Sequence, residues 1–361
     1  MDYNVFIDEL LERKDKIYNY IYSSRFRDLF QPKHIQDSVY SYMRHGGKAL
    51  RPSVLLFSCG AVGGNEDDII PAAAAIEVFH TWTIVHDDII DRDYKRRGGP
   101  TVHEEFRQRA IEEFGYDEED ARHYGISIAM LAGDMQQGWA VSMLSELASK
   151  NGIDPRLVLY LIDDSEIHIQ SELIEGQVLD IQYSRFHIGS ITEDQILNVM
   201  WKKTGVFYEF SGKAGAMLGL NSMDVDHHLV KALSSFTGNC GIAFQLQDDI
   251  LGIIGDEDIL GKPVGSDIRE GKRTLILCHA YKNADDKQRN DIINIFGNRY
   301  VNDADIKYAK KLLIDLDGIE YAKQMARSYV EKSMVHLDRL PESKYRDLLS
   351  MWAEYMIERE F

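Results

Sequence analysis

The sequence predicts an all-α fold, and three observations carry that prediction. Its seven prolines, at 32, 52, 71, 100, 155, 263 and 341, are spaced like punctuation, and none falls between Pro155 and Pro263. Within that long stretch the apolar residues recur at helical steps: in "DSEIHIQSELIEGQVLDIQ", Ile167, Ile174, Val178 and Ile181 mark an amphipathic helix. Alternating strand-like runs bounded by turn residues are hard to find, and the β-branched "DILGIIGD" continues a helical pattern from Phe244. No Gly/Ser linker, low-complexity segment or fixed-period repeat divides the chain. Residues 1–361 therefore read as one domain of many long helices.

Composition narrows the partners. Hydrophobic residues make up 44% of the chain and charged residues 28%, the balance of a globular protein. The 41 basic and 59 acidic residues give a net charge of −18, which repels nucleic acid and anionic membrane. Local basic clusters then stand out as deliberate. Cys59, Cys240 and Cys278 sit singly among apolar neighbours without CxxC spacing, as core thiols of a reducing compartment. The N-terminal "MDYNVFIDELLERKDK" has neither a signal-peptide core nor a membrane span, so a cytoplasmic location is expected.

The elements follow in chain order. "HGGKALRP" (45–52) places Lys48 and Arg51 three residues apart beside Gly46 and Gly47. The apolar run "IEVFHTWTIV" reads as a core helix and leads straight into "HDDIID". On that helix His80, Ile84, Asp87 and Asp91 share one face, and Asp87 and Asp91 are one turn, roughly 6 Å, apart. Two carboxylates so spaced can hold a hard divalent cation, and Mg²⁺ takes a few carboxylates while keeping positions for water and phosphate. The competing reading, a solvated helix face, fits poorly after so apolar a run. Next, "KRRGGPT" must end the helix and turn the chain. Arg96 and Arg97 there suit bidentate phosphate binding, against the simpler alternative of an Arg–Asp salt bridge.

Residues 104–122 are strongly charged and read as an appended, exposed helix and turn, a candidate insertion. Further on, "MWKKTGVF" holds Lys203 and Thr204 in an apolar helical context. A second acidic segment, residues 244–275, puts Gln245, Asp248, Asp249 and Gly252 on one stripe, followed by a glycine-spaced loop with Lys262, Lys272 and Arg273. Two acid-rich helix segments about 160 residues apart, each followed by a basic glycine loop, suggest facing walls of one cavity with metals and phosphate between them. In 342–361, Leu348, Leu349, Trp352, Tyr355 and Met356 form one stripe, so this appended helix is expected to pack.

"GGKALRP", "DDIIDRDYKRRGGPT", "LAGD" (131–134), "EGQVLD" (175–180), "KKTG" and "FQLQDDILGIIGDEDILGKPVGSD" together resemble the trans-isoprenyl diphosphate synthases, or polyprenyl synthetases, over roughly residues 40–280. The resemblance implies an isoprenoid-synthase-type bundle of long helices around a deep central cavity, a homodimer, and three Mg²⁺ ions. It implies a prenyltransferase that joins isopentenyl diphosphate head-to-tail to an allylic diphosphate. Asp87 and Asp91 would bind two ions with Asp88 supporting them, and Asp248 the third with Asp249 close by. Arg96, Lys203, Lys262 and Lys272 would hold the allylic diphosphate; Lys48, Arg51, His80 and Arg97 that of isopentenyl diphosphate. Thr204 and Gln245 would lie along the forming cation. Gly252 departs from the family pattern, standing where many members carry a last aspartate, so metal binding there leans on Asp248 and on Asp256. The basic tail of some members is replaced by "EREF".

Trp82 and Phe79 lie five and eight residues before Asp87, about 7.5 and 12 Å deeper on the same helix. In the family, bulky residues there form the floor that stops product growth. A single bulky residue at minus five, with small Thr83 at minus four, resembles the geranylgeranyl (C20) pattern, with a farnesyl (C15) or bifunctional C15/C20 synthase as the alternative and plain core packing as the simpler reading of Trp82. A class I terpene cyclase shares the fold but usually carries an Asn/Ser/Glu triad in place of Asp248–Asp249. An HD-type metal phosphohydrolase would explain His86–Asp87 but leaves the second acidic segment and Lys203 without a role. A non-catalytic partner subunit would be expected to lose motif residues that are present here.

Overall fold

The structure, a computed structural model, describes residues 3–23, 26, 28–149, 152–255 and 265–359. Among them the architecture is all-α, and the only strands are a two-residue pair. The described helices relevant here are α1 (Asn4–Ser23), α2 (Lys33–Val39), α3 (Ser41–Arg44), α4 (Leu50–Ala61), α5 (Ile70–Asp91), α6 (Val102–Phe114), α7 (Glu118–Glu146), α8 (Pro155–Asp163), α9 (Gln170–Tyr183), α10 (Glu193–Met200), α11 (Val206–Leu220) and α12 (His228–Ile254). The residues fall into two compact units: Met1–Ile162 with Leu218–Met223, and Asp163–Met217 with Asp224–Phe361.

The first unit is built on α5, which packs against α7, α4 and α1. Pro71 in its first turn is tolerated because that N–H has no helical partner. The following alanines, Val78, Phe79 and Trp82 are buried. By length and composition the stretch Glu66–Asp91 could cross a membrane, but most of it is covered by its neighbours. Gly133 of α7 explains the close approach of the two helices: a Cβ there would fall 2.1 Å from Nε2 of His86. Residues 104–122 do form a helix and turn, with Ile111, Phe114 and Tyr116 exposed. Their inner face is nevertheless core, since Val102, Phe106, Ala110 and Ala121 are buried and His34 lies edge-on to Phe106.

The second unit is built on α12, which packs against the helices Gly318–Leu337 and Lys344–Glu358. The C-terminal stripe packs as expected: Leu348, Leu349, Trp352, Tyr355 and Met356 are buried, and the Trp352 ring meets Tyr208 and Phe236. Two π-helical turns, Asp164–Ile169 and Trp201–Gly205, interrupt the helical runs, and the second carries Lys203 and Thr204. Such turns concentrate at functional sites because the extra residue re-aims side chains.

One sequence pattern points the opposite way in the structure. Ile167, Ile174, Val178 and Ile181 face outward, each at least 44% exposed. The contacts that α9 makes with the second π-helical turn are polar: Glu172 and Glu175, both well exposed, take Lys202, and half-buried Asp180 takes Lys203. The three cysteines are buried free thiols, as expected.

Candidate active site

In the first unit the site grows from the last two turns of α5. Asp87 and Asp91 are half-buried, one turn apart. Asp88, turned about 100° from Asp87 and about 60° from Asp91 around the helix, is fully buried and accepts hydrogen bonds from the Tyr42 hydroxyl and from two nitrogens of Arg96, with Nε at 2.9 Å. Burial pushes its carboxyl up to about 6, against the pull of Arg96 and Tyr42. Arg96 also reaches Asp93 at 3.3 Å. Arg96 is therefore anchored in an ion pair with Asp88, whose full burial sets it apart from the half-buried Asp87 and Asp91.

Helix α5 ends at Arg92, whose φ of 60° is left-handed, and the chain forms a hairpin pairing Lys95–Arg96 with Gly99–Pro100. The two loop residues, Arg97 and Gly98, have φ of 53° and 77°, as a two-residue hairpin turn with positive φ at both positions requires. Arg97 donates to the Tyr42 carbonyl at 3.1 Å. A Cβ on Gly47 would fall 2.9 Å from Arg97 and from the buried Glu77, so the loop carrying exposed Lys48 lies against this hairpin. Arg51, in the first turn of α4, donates to Nε2 of His80 at 3.0 Å. Burial, then Arg51, Arg97 and Arg96, holds His80 well below the ordinary imidazole range. His80 is thus a neutral acceptor that orients Arg51. The unit gathers Arg51, His80, Arg96 and Arg97 into a basic cluster beside two carboxylates. Sequence reasoning missed Tyr42, Tyr18 and Glu77, which buttress it; Tyr18 donates to Glu77 at 2.8 Å.

In the second unit Thr204 and Gln245 join directly: the Thr204 hydroxyl donates to the Gln245 amide oxygen at 2.7 Å, and the Gln245 amide nitrogen donates to Asp249 at 2.9 Å. Burial and the neighbouring Asp267 push Asp249 up to about 7. Lys203 donates to Asp180 at 2.6 Å, and Lys272 lies 3.4 Å from Asp267 and 3.5 Å from Glu270. Asp248 accepts from Arg359, a buried residue that also stacks 3.9 Å from the Phe244 ring centre. Arg359 was missed; its only signal was a lone arginine in an acidic tail. Lys262 and Asp256 lie outside the described residues.

The donors fit a hard divalent cation. They are carboxylates with no thiol among them, and in the second segment burial and then Asp267 push the Asp249 carboxyl up. Among the described residues no three His, Cys, Asp or Glu side chains converge to hold an ion alone.

An all-α fold carrying paired carboxylates beside clustered arginines defines an enzyme that handles a diphosphate through a divalent metal. The polyprenyl synthetase family model matches residues 32–313, and the chain belongs to that family. The chain is 35% identical to a geranylgeranyl diphosphate synthase of Methanosarcina mazei over 316 residues, 88% of this chain and 87% of that protein. Its fold superposes on a geranylgeranyl pyrophosphate synthetase of Pyrococcus horikoshii with a TM-score of 0.82 and 34% identity, covering 100% of both chains. A geranylgeranyl pyrophosphate synthase of Corynebacterium glutamicum, solved with isoprenyl diphosphate and magnesium, gives 0.83 at 28% identity, covering 99% of this chain and 100% of that one. The protein is a prenyltransferase of the isoprenyl diphosphate synthase type.

Proposed function

We propose that the chain condenses isopentenyl diphosphate with allylic diphosphates to geranylgeranyl diphosphate, using three Mg²⁺ per site. The observation that carries this is the basic cluster of Arg51, His80, Arg96 and Arg97 beside Asp87 and Asp91. Asp87 and Asp91 hold two ions and Asp248 the third, with Asp88 and Asp249 supporting. When bound, Mg²⁺ neutralises the diphosphate so that it can depart from the allylic carbon. Arg96, Lys203, Lys262 and Lys272 grip the allylic diphosphate; Lys48, Arg51 and Arg97, with His80 orienting Arg51, grip that of isopentenyl diphosphate. Thr204 and Gln245, locked to each other, present fixed dipoles to the developing cation without reorganisation.

The floor is Trp82 with Phe79, buried and edge-to-face at 4.9 Å. A rigid aromatic pair at this depth supports a C20 stop, in line with the name of the Methanosarcina relative. We take residues 1–361 as one enzyme, because the family match takes in both units. A homodimer is supported by the exposed apolar residues Met130, Leu131 and Met135 on α7, and a cytoplasmic location by the three buried free thiols, which suit a reducing compartment. The test is a Mg²⁺-dependent assay with labelled isopentenyl diphosphate and dimethylallyl, geranyl or farnesyl diphosphate. The expected products stop at C20 from each starter, and Trp82→Ala should carry them further. A stop at C15, or an unchanged product from the variant, removes the floor; diphosphate release without elongation removes the synthase reading.

A further inference from the structure

Within the second unit, a cavity of about 290 Å³ lies between the turn after α9 and the helices Leu275–Asn283 and Asp286–Ile295. Its buried lining is apolar, with Ile188, Leu277 and Ile292 each at most 5% exposed and Phe296 beside them. Its accessible lining carries Arg185, His187 and Arg273. Arg273 is held in place but not neutralised. It donates to the Phe186 carbonyl from Nε at 3.3 Å and from one terminal nitrogen at 2.9 Å, and to the Gly271 carbonyl from the other at 2.8 Å. Each terminal nitrogen carries two N–H groups, so one on each has no protein partner among the described residues. Burial holds Arg273 below the ordinary guanidinium value, with only the Cys278 thiol opposing it. Among the described residues neither Arg185 nor Arg273 pairs with a carboxylate, although the chain carries a net charge of −18. His187 accepts from the Gly189 N–H through Nδ1 at 3.1 Å, so the neutral ring carries its proton on Nε2 as a further donor. The wall is held by a close approach: Gly271 has a φ of 74°, and a Cβ there would fall 2.8 Å from Cα of Gly297 at the end of helix Asp286–Ile295.

We propose that this cavity binds a small amphiphilic anion, an apolar chain ending in a phosphate, diphosphate or carboxylate. The chain lies on Leu277, Ile292 and Phe296, and the head group meets Arg185 and Arg273. An inorganic anion would leave the apolar lining unused, and a neutral hydrocarbon would leave both guanidinium charges unpaired. A molecule with both ends satisfies the whole lining. The two spare N–H groups of Arg273 sit on a guanidinium already fixed by the Phe186 and Gly271 carbonyls, so little freedom is lost when oxygens of an anion arrive. At this volume the cavity is near the lower end of small-ligand sites, and short chains fit it better than long ones. The residues differ from those assigned to the condensation: neighbouring Lys272 goes to Asp267 and Glu270, at 3.4 and 3.5 Å. Isoprenyl phosphates have this chemistry and so do fatty carboxylates. The inference goes beyond the condensation and does not depend on the length of its product.

The test is calorimetric titration of the full chain with geranyl monophosphate in EDTA, which withholds the divalent ion proposed for the condensing site. Geranyl monophosphate should bind about tenfold or more tighter than inorganic phosphate or geraniol, each of which meets only part of the lining. Decanoate tells the two sources apart: equal affinity points to fatty carboxylates, weaker affinity to isoprenyl phosphates. Ile293→Glu sets a carboxylate into the lining at a position 44% exposed, and should weaken geranyl monophosphate about tenfold or more. Arg273→Gln should do the same, and Arg185→Ala, at an exposed position, should cost up to about fivefold. Ile293→Glu and Arg185→Ala should elongate isopentenyl diphosphate with the parent kcat and KM, which shows an intact fold and a separate site. No binding by the parent, undiminished binding by Ile293→Glu and Arg273→Gln, inorganic phosphate as tight as geranyl monophosphate, or elongation lost together with binding overturns the proposal.

Discussion

The two acidic segments are built from the same residue types by different routes. In the first, most of what shapes the carboxylates lies within a few residues of them: Asp88 takes Arg96 eight positions on, and the hairpin that aims Arg96 and Arg97 follows at once. Tyr42 reaches Asp88 from farther along the chain. In the second, nearly every partner is distant. Asp249 is reached through Gln245 by Thr204, 41 residues from that glutamine, and Asp248 is held by Arg359, 111 residues away. The inner aspartate is ion-paired to an arginine in one case and hydrogen-bonded by an amide in the other. The two double aspartates thus differ in what holds the inner residue, and on the proposed function the outer one is left to the metal.

The largest expected effect probes that division of labour in both segments. Asp87→Ala and Asp91→Ala should each lower kcat with isopentenyl and farnesyl diphosphates by about 10²–10³-fold, as when a group stabilising transition-state charge is lost. Asp249→Asn should cost about tenfold or less, because an asparagine oxygen still accepts from Gln245. If Asp249→Asn proves as damaging as Asp87→Ala, the inner and outer roles in the second segment are reversed.

Arg359→Ala tests the long-range side of the comparison. The guanidinium is buried over Phe244 while its Asp248 partner is 41% exposed, so the pair is only partly desolvated. Its carbonyl also accepts from Gln247 at 2.9 Å, fastening the end of the last helix to α12. Removal should destabilise the protein by about 1–3 kcal/mol, below the range for a fully buried pair. In thermal melts that is a lowered midpoint, and hydrogen exchange should rise first across 344–358. An unchanged midpoint would mean that the burial of Trp352 and Met356 alone holds the helix.

This contrast also sets what could be read from the sequence. The helical class followed from spacing, and α5, α12 and the C-terminal helix appear where the periodicity puts them. The orientation of α9 did not, because periodicity marks an apolar stripe without saying whether that side packs, and here the helix is joined to its neighbour by carboxylates that pair with lysines of a π-helical turn. Arg96 meets a local neighbour, Asp88 eight residues before it, whereas Arg97 and His80 meet partners 55 and 29 residues away and were given their roles through the family resemblance. Arg359 was not legible: it holds Asp248 from 111 residues away, and no spacing rule encodes that.

The smallest expected effect concerns His80, which belongs to the legible segment yet behaves differently from the charge its position invites. Arg51, Arg97 and Arg96 face it, and with burial they keep it neutral in the folded protein. The unfolded chain binds a proton there below the ordinary imidazole value of about 6.5, so the unfolded state carries more protons and stability falls as pH drops through that value. At pH 5.5 the penalty is about 1.4 kcal/mol relative to neutral pH, if the folded imidazole stays uncharged. His80→Gln keeps an acceptor for Arg51 and removes the titration, so between pH 7.5 and 5.5 its melting midpoint should fall about 2 °C less than the parent's. The KM for isopentenyl diphosphate should carry no inflection from His80 between pH 6 and 8, since the charge on that subsite comes from the arginines. Parallel melting curves for parent and variant, with a KM that improves as pH falls toward 6, would instead make His80 a cationic contact and move it from orienting Arg51 to gripping the diphosphate itself.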